Sequence, residues 1–329
     1  MPPTEEICKQ AEAYNNDPWL CAMNFAHLLF SLFSVVVVLR IVWFIKKSGK
    51  TKIFNCNLKT LLLVGAFLII VNSTISFGFY AYLLVIKFLK LSPCFYVWTG
   101  IQCFLIRSTQ HYSTVCFTIL HLAIFFERLY AIKKQDDSLD AMGKLLVTLV
   151  FVVPAVLIGY MYYYEIVFNE YRPYCIASSL ISSNRILGVT WLMAVIDVCT
   201  AIGDVIIRKY CQKMLKGNRC QLTLHDAFRF RELETSVLII LPLTILHTLC
   251  FLPWPILVTL GRPQPGLQLV HFIEGAILVK AVYSSFLPLS YFYFHQLRCR
   301  KVAQDEWNWS TSLQGTIHFQ QLRKQLGYF

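Results

Sequence analysis

The chain has 329 residues, of which 57% are hydrophobic and only 15% are charged. A water-soluble protein of this length needs a more polar surface, so the composition excludes a soluble globular domain. The net charge of +12 does not indicate nucleic-acid binding, because lysines and arginines between membrane spans usually report topology. The apolar residues form blocks of about 20 or more, the length with which a helix crosses a bilayer. The sequence therefore predicts an all-α integral membrane protein.

The first 18 residues precede the first apolar block and are acidic. They contain four acids and a single base, Lys9. A cleavable signal peptide begins with a basic segment, so we expect the first apolar block to remain in the membrane as a span.

Seven apolar blocks follow along the chain. We interpret them as membrane-spanning helices over Trp19–Ile45, Thr60–Ile86, Ile101–Ile132, Leu145–Glu165, Ile186–Ile207, Thr235–Leu260 and Leu269–Phe294. The third is the least obvious, because the polar stretch Arg107–Thr114 interrupts it. The predicted organisation is an N-terminal tail over 1–18, a seven-helix domain over 19–294 and a C-terminal tail over 295–329. The C-terminal tail begins like a basic amphipathic helix on the membrane surface.

The distribution of lysine and arginine predicts the orientation. The segments after spans one, three, five and seven contain 21 of these residues, whereas the segments on the other side contain 7. Basic segments stay in the cytosol, so the N-terminus is predicted outside and the C-terminus inside. Seven helices in this orientation resemble the architecture of rhodopsin-like G-protein-coupled receptors.

The third span ends at Glu127 and Arg128, an acid and a base side by side. Arg128 can pair with its neighbouring acid in one state and turn toward the cytosol in another, which makes a two-state element that a ligand can bias. Alternatively, the dipeptide only marks the water boundary of the helix. Glu127-Arg128-Leu129 resembles the Asp/Glu-Arg-Tyr triplet of rhodopsin-like receptors and departs from it at the third position.

That resemblance implies a disulfide on the outer side. Rhodopsin-like receptors place a cysteine at the outer end of span three, and Cys103 lies 25 residues before Arg128, about 37 Å of helix. The implied partner is Cys175 in the loop after span four. Cys94 is an alternative to Cys103 in this bridge, because connectivity is not deducible from sequence.

Two prolines strengthen the resemblance to this receptor class. Cys250–Pro253 resembles a Cys-Trp-x-Pro motif in span six, with Phe251 in the tryptophan position. Pro288–Tyr291 resembles Asn-Pro-x-x-Tyr in span seven, with Leu287 in place of the asparagine. A proline within a helix frees a backbone carbonyl and favours a bend.

Three stretches resemble a narrower family. Phe54–Leu63 is similar to a Phe-His-x-Asn-x-Lys start of span two, Phe125–Ile132 to a span-three end, and Arg229–Ser236 to an Arg-Tyr-Gln-x-x-Glu-Asn start of span six. The departures from these patterns are Asn55, Arg231 and Thr235. The chain thereby resembles the nematode seven-helix chemoreceptors of the serpentine receptor class alpha, b and epsilon superfamily.

This resemblance implies a chemosensory (olfactory) receptor in a sensory-neuron plasma membrane or cilium, signalling through a heterotrimeric G protein. The inner ends of spans three and six are where a G protein must bind. The predicted G-protein switch therefore consists of Glu127, Arg128, Arg229 and Arg231. The alternative is that most inner cations only set topology and contact anionic lipid.

Ionisable side chains inside membrane spans are costly and are therefore candidates for a functional site. We expect an outer cavity with polar anchors among apolar and aromatic side chains. The predicted ligand-binding residues are Arg107, Gln110, His111, Glu274 and Lys280. Alternatively, the charged members form interhelical ion pairs with one another and with Asp197.

Lys280 also suggests an opsin, because opsins attach retinal to a lysine in span seven. It lies eight residues before Pro288, near but not at the opsin position. The outer part of span three contains no acid to balance a protonated Schiff base, which disfavours this alternative. We interpret Asp204 and His247 as packing or switch residues.

Sequence motifs for catalysis are absent. The histidines form neither His-x-x-His-His nor His-Glu-x-x-His, and no glycine-rich phosphate loop or internal repeat is present. We expect no enzyme activity, metal or cofactor, and partners limited to a small molecule, a G protein and the lipid bilayer. The alternative function is a ligand-gated seven-helix channel of the insect odorant-receptor type, which has its N-terminus inside.

Overall fold

The computed structural model of the protein describes residues 3–48, 56–133, 141–163, 170–175, 180–217, 224–261 and 266–311. In this part of the chain, seven segments are long and apolar enough to cross a membrane. The helices are α1 (Glu5–Asn16), α2 (Pro18–Ser48), α3 (Cys56–Phe88), α4 (Gly100–Lys133), α5 (Ala141–Tyr162), α6 (Leu180–Gly217), α7 (Leu224–Phe251), α8 (Pro253–Gly261) and α9 (Gly266–Thr311). Helices α2 to α6 provide the first five spans, α7 and α8 together form the sixth, and α9 contains the seventh.

Large apolar side chains cover the outside of this bundle. Among those with more than half of their surface exposed are Val36, Leu63, Val156, Ile206 and Leu249. A contiguous apolar surface of this extent is favourable against lipid, where the helices satisfy their backbone hydrogen bonds internally. The predicted all-α membrane bundle is confirmed.

Helix α4 lies at the centre of the bundle. It packs against α3, α5, α6 and α7, and its span has the largest buried share of the seven. Helices α2, α3, α6, α7 and α9 form the contacts around it. A central helix faces protein rather than lipid, so it tolerates the polar side chains that made the third block the least obvious span.

Several helices extend beyond the predicted spans. Helix α6 continues to Gly217, ten residues past Ile207, and α7 begins at Leu224, eleven residues before Thr235. Helical hydrogen bonding continues into the charged flanks, whereas the prediction followed apolar residues only. The predicted end of the fourth span at Glu165 lies outside the described residues, as does Asn55.

The sixth span is broken where the sequence predicts a proline bend. Helix α7 ends at Phe251 and α8 begins at Pro253, with Leu252 between them. Proline has no N–H to donate and its ring disturbs the preceding turn. In contrast, Pro288 lies inside α9, which continues to Thr311 as one helix. The start of the C-terminal tail is therefore helical and continuous with the seventh span, and residues 312–329 lie outside the described part.

The end of the bundle that carries α1, which the charge distribution predicts to be the outer side, has a short two-stranded antiparallel sheet. Strand β1 (Trp98–Thr99) pairs with β2 (Tyr171–Arg172), so the segment before α4 is held to the loop after α5. A 3₁₀ helix over Pro93–Tyr96 precedes β1 and packs against α1.

Two disulfides close this outer side. Cys103 is bonded to Cys175, as the receptor resemblance implied. The alternative that placed Cys94 in this bridge is wrong, because Cys94 is bonded to Cys8 in α1. The bond between Cys8 and Cys94 was not predicted from the sequence.

Candidate functional site

Three buried polar clusters follow the central helix from the outer to the inner side. The outer cluster is His27, Ser76, Tyr80, Arg107, Gln110 and Glu274. The middle cluster is Thr118, His121, Asp197, His247 and Tyr283. The inner cluster is Arg128, Asp204 and Thr244. Along α4 the distance from Arg107 to Arg128 is about 31 Å by helix rise, so the clusters span the membrane.

Arg107 is the centre of the outer cluster. Its guanidinium donates to the carboxylate of Glu274 on α9 and, over 3.0 Å, to Oε1 of Gln110. Its Nε donates to the backbone carbonyl of Cys175 over 2.8 Å. Arg107 therefore ties the central helix to the seventh span and to the loop held by the disulfide.

Glu274 is fully buried and has further partners. The Tyr80 hydroxyl donates to its second carboxylate oxygen over 2.7 Å. His27 Nε2 lies 3.6 Å from that oxygen and 3.3 Å from the Glu274 backbone oxygen. The rings of His27 and Tyr80 are stacked with their centroids 4.1 Å apart. The first, second, third and seventh spans thus meet at one carboxylate.

Three of the predicted ligand residues are hydrogen-bonded within the outer cluster: Arg107 donates to both Gln110 and Glu274. A buried charge is stable when it is paired and hydrogen-bonded, as both members are here. The geometry is the interhelical ion pair that the sequence left as the alternative to a ligand contact. A ligand role for these three residues stays a prediction.

Tyr174, the residue before Cys175, is buried at the outer end of this cluster. It is buried with Leu20 and Val270, and its ring lies 5.6 Å from that of Tyr14 in α1. Burial raises the pKa of the Tyr174 phenol, so the group is uncharged at neutral pH. Within the described residues its hydroxyl has no hydrogen-bond partner.

The other two predicted ligand residues, His111 and Lys280, lie together in an aromatic site. The Lys280 Nζ is 3.0 Å from the ring centroid of Trp254, which is the second residue of α8. Trp254 in turn stacks on His111, with centroids 5.6 Å apart. His111 Nδ1 is 2.6 Å from the hydroxyl oxygen of Tyr162 at the end of α5. Four spans therefore contribute to this site.

The middle cluster connects α4 with α6, α7 and α9. The Thr118 hydroxyl donates to Asp197 over 3.1 Å, and His247 Nε2 lies 3.1 Å from the other oxygen of that carboxylate. His247 stacks on His121 at 4.3 Å. His121 Nε2 is 3.0 Å from the hydroxyl of Tyr283. The cluster lies next to the break in the sixth span, because Phe251 contacts both His247 and Tyr283.

The inner cluster corrects the predicted partner of Arg128. Arg128 donates to Asp204 on α6 over 3.0 Å, and Thr244 on α7 donates to the second oxygen of Asp204 over 2.9 Å. The sequence had named Glu127 as the resting partner. Adjacent residues on a helix point in different directions, so an acid on another helix can meet the guanidinium more directly. Glu127 is itself buried.

Arg229 and Arg231 lie in the first turns of α7. Arg229 pairs with Asp226 one turn earlier at 3.4 Å, and Arg231 is exposed. In the described ranges neither contacts the pair formed by Arg128. They precede Thr244 by thirteen or more residues, about 20 Å of helix, so these two members of the predicted switch lie apart from the other two.

Several residues that complete these clusters were not predicted from the sequence. They are His27, Ser76, Tyr80, Thr118, His121, Tyr162, Thr244, Trp254 and Tyr283. The histidines carried a readable signal, because a polar ring inside an apolar span needs a partner. The tyrosines and Trp254 did not, since aromatic residues are common throughout membrane helices.

The part of the chain that the structure describes contains no group of three or more His, Cys, Asp or Glu side chains placed to hold a metal ion. A bundle of seven membrane-spanning helices, with one polar helix at its centre, is the architecture of a seven-helix membrane receptor. The family model for the serpentine type 7TM GPCR receptor class ab chemoreceptors matches residues 5–261, more than three-quarters of the chain. The protein belongs to this family, and the predicted resemblance to nematode serpentine chemoreceptors is confirmed. A comparison with curated proteins finds no match.

Proposed function

We propose that the protein is a G-protein-coupled chemosensory receptor that binds a small molecule between the outer halves of its helices and activates a heterotrimeric G protein. Membership of the chemoreceptor family supports the receptor class. The observation that carries the G-protein half of the proposal is the buried contact of Arg128 with Asp204, completed by Thr244. It joins three helices at the cytosolic end, where a G protein must insert between them.

The contact has the properties of a two-state element. Both charged groups are almost fully buried, and Nε and one terminal nitrogen of Arg128 have no hydrogen-bond partner in the described chain. A guanidinium with unused donors in a buried position gains new partners when it turns toward the cytosol or a bound protein. Separation of Arg128 from Asp204 is the activating step in this proposal.

The broken sixth span supplies the connection to the outer side. Trp254 lies just beyond the break at Leu252, whereas Thr244 lies two turns before it and holds Asp204. A ligand that shifts α8 would turn α7 at this break and weaken the hydrogen bond from Thr244. The coupling then passes through the middle cluster, which contacts the break through Phe251.

We also propose the membrane orientation and the cellular location of the protein. Residues 1–18 are the extracellular tail, residues 19–294 the helical domain, and residues 295–329 the cytoplasmic tail. The protein is a multi-pass membrane protein, and we place it in a sensory-neuron plasma membrane or cilium. It acts without enzymatic activity or cofactor, and its partners are a small-molecule ligand, a G protein and lipid.

The test is receptor activation in reporter cells that express a panel of Gα subunits. Arg128→Ala should reach the cell surface and lose G-protein activation, and Arg208→Ala, another arginine at an inner helix end, should signal like the wild type. A ligand-evoked current without any Gα would favour the channel alternative. Normal signalling from Arg128→Ala at matched surface level would contradict the proposed switch.

A further inference from the structure

Lys280 is a buried basic group for which the described part of the chain supplies no counter-ion. Its side chain is only 7% exposed, and its Nζ has no hydrogen-bond partner within the described residues. The close contact that it makes is with the face of Trp254, 3.0 Å from the ring centroid. A cation over an indole face is favourable, but this contact leaves the three N–H donors of the ammonium without an acceptor oxygen.

The buried acids of the outer and middle bundle are engaged elsewhere. Glu274 lies six residues before Lys280 on α9 and is held by Arg107 and Tyr80. Asp197 is held by Thr118 and His247. Each of these carboxylates is held by side chains of other helices, and neither forms an ion pair with Lys280 within the described residues.

The acids of the inner end are either paired with another cation or distant along the central helix. Asp204 is paired with Arg128. Glu127 lies sixteen residues beyond His111 on α4, about 24 Å by helix rise.

The ion pairs of Arg107 and Arg128 occupy Glu274 and Asp204, so the described part of the chain supplies Lys280 with no acidic partner. An uncompensated positive charge at mid-depth in a membrane protein is costly and marks a place where a negative group is stabilised.

The walls of the site are aromatic. Trp254 and His111 are stacked, Tyr162 contacts His111, and Phe104 packs edge-on against Tyr162 at 5.2 Å. Aromatic faces bind apolar bodies and leave specificity to a few polar groups. A basic group on Trp254, with His111, Tyr162 and Phe104 following in a row of contacts, matches a ligand with one anionic end and one apolar end.

We propose that this site, formed by Phe104, His111, Tyr162, Trp254 and Lys280, binds a small organic carboxylate with an apolar body. The carboxylate accepts hydrogen bonds from the Lys280 ammonium, and the body packs against the aromatic walls. Arg107 is not the anion anchor, because Glu274 already neutralises it. This inference rests on the proposed receptor function and names its ligand class.

A ligand bound at this position would also act on the break in the sixth span. The ammonium lies on Trp254 in the second residue of α8, and a carboxylate draws it away from that ring. Tyr283, one turn further along α9 than Lys280, contacts Phe251 at the end of α7. The Lys280 site therefore contacts α8 directly and lies one helical turn from the Tyr283 residue that contacts α7.

The test is binding to the purified full chain in lipid nanodiscs, measured as a shift of the thermal unfolding midpoint without any G protein. The probes are hexanoate, octanoate, benzoate and phenylacetate, each compared with its methyl ester. At least one acid should raise the midpoint at concentrations about 10- to 100-fold below those its ester needs, the ratio expected for hydrogen bonds to a charged donor. Lys280→Gln should abolish this difference, and Lys280→Arg should retain it. Lys87→Gln, a lysine at the outer end of α3, should bind like the wild type.

Three results would overturn the ligand class. The first is that no acid binds better than its ester to the wild type, and the second is that Lys280→Gln binds the acid equally well. The third is that ligand-free Lys280→Gln unfolds as early as Glu274→Gln, because that would show Lys280 to have a structural partner. Activation of a G protein by the neutral esters alone would overturn the carboxylate and leave the receptor function standing. Acid binding without activation of any Gα would overturn the receptor function and leave the carboxylate ligand class standing.

Discussion

Arg128 on the central helix donates a 3.0 Å hydrogen bond to Asp204 on α6, and not to its sequence neighbour Glu127 in the acid–arginine pair. Thr244 on α7 binds the same carboxylate. The inner ends of the third, fifth and sixth spans are therefore held together by one buried aspartate. Any outward movement of α7 must break at least one of these two hydrogen bonds.

We expect Asp204→Asn to raise ligand-free signalling, because the change removes the charge that holds Arg128 inside the bundle. Conformational couplings of about 1–3 kcal/mol change activity several-fold. The measurement is basal G-protein activation in reporter cells, normalised to receptor at the surface. Glu127→Gln, which alters an adjacent buried acid, should raise basal activity less than Asp204→Asn does. The reverse order would restore Glu127 as the resting partner.

Removal of the Thr244 hydroxyl tests the α7 side of the same contact. We expect Thr244→Val to raise basal activity, but less than Asp204→Asn, since the ion pair remains. Thr148→Val is the matched control, because Thr148 is exposed on α5 and bonds only the Lys144 carbonyl of its own helix. Basal activity in Thr244→Val equal to that of Thr148→Val would exclude α7 from the switch.

Glu274→Gln should destabilise the receptor, because it leaves the Arg107 guanidinium buried without its counter-ion. Breaking one partner of a buried pair costs about 3–5 kcal/mol. The thermal unfolding midpoint in detergent measures this loss. Glu170→Gln breaks the more exposed pair with Arg172 and should cost at most about 1 kcal/mol. Equal midpoints for the two variants would mean that the outer cluster contributes little to stability.

The two disulfides should act as independent units. Cys103→Ser and Cys175→Ser should have equal effects on surface delivery, and the double variant should be no worse than either single. The same is expected of Cys8→Ser with Cys94→Ser. A bridge across a long loop contributes about 2–4 kcal/mol, so double variants that remove one cysteine from each pair should be worse than the singles.

Thiol labelling of the unfolded, unreduced protein checks this pairing directly. The partly buried Cys21 is free, and Cys21→Ser is therefore the control for loss of a thiol without loss of a bridge. Release of the Cys175 thiol by Cys94→Ser, instead of by Cys103→Ser, would contradict the connectivity.

The predicted orientation is tested with epitopes at the two ends of the chain. A tag before Cys8 should be stained on intact cells, and a tag after Phe329 only after permeabilisation. The physical reason is the excess of lysine and arginine on the predicted inner side, 21 against 7. The opposite staining pattern would favour the channel alternative, whose N-terminus is inside.

The sequence by itself determined the membrane class, the number of spans and the expected orientation. Each follows from a property of one segment at a time, either its apolar length or its content of basic residues, and such properties do not depend on how the helices pack. The break at Pro253 was predicted from the proline in its own helix, whereas Pro288, for which the same effect was predicted, lies inside one continuous helix. The bridge between Cys103 and Cys175 followed from family resemblance and not from spacing alone.

Only the tertiary structure decided which polar groups meet. Arg128 pairs with an acid 76 residues away, and Arg107 with one 167 residues away, because each partner depends on the rotation and neighbours of two helices. Among the residues that the structure describes, the same packing gives Lys280 no counter-ion. Pattern analysis identified it as an unusual residue, but whether a charge is compensated depends on every helix around it.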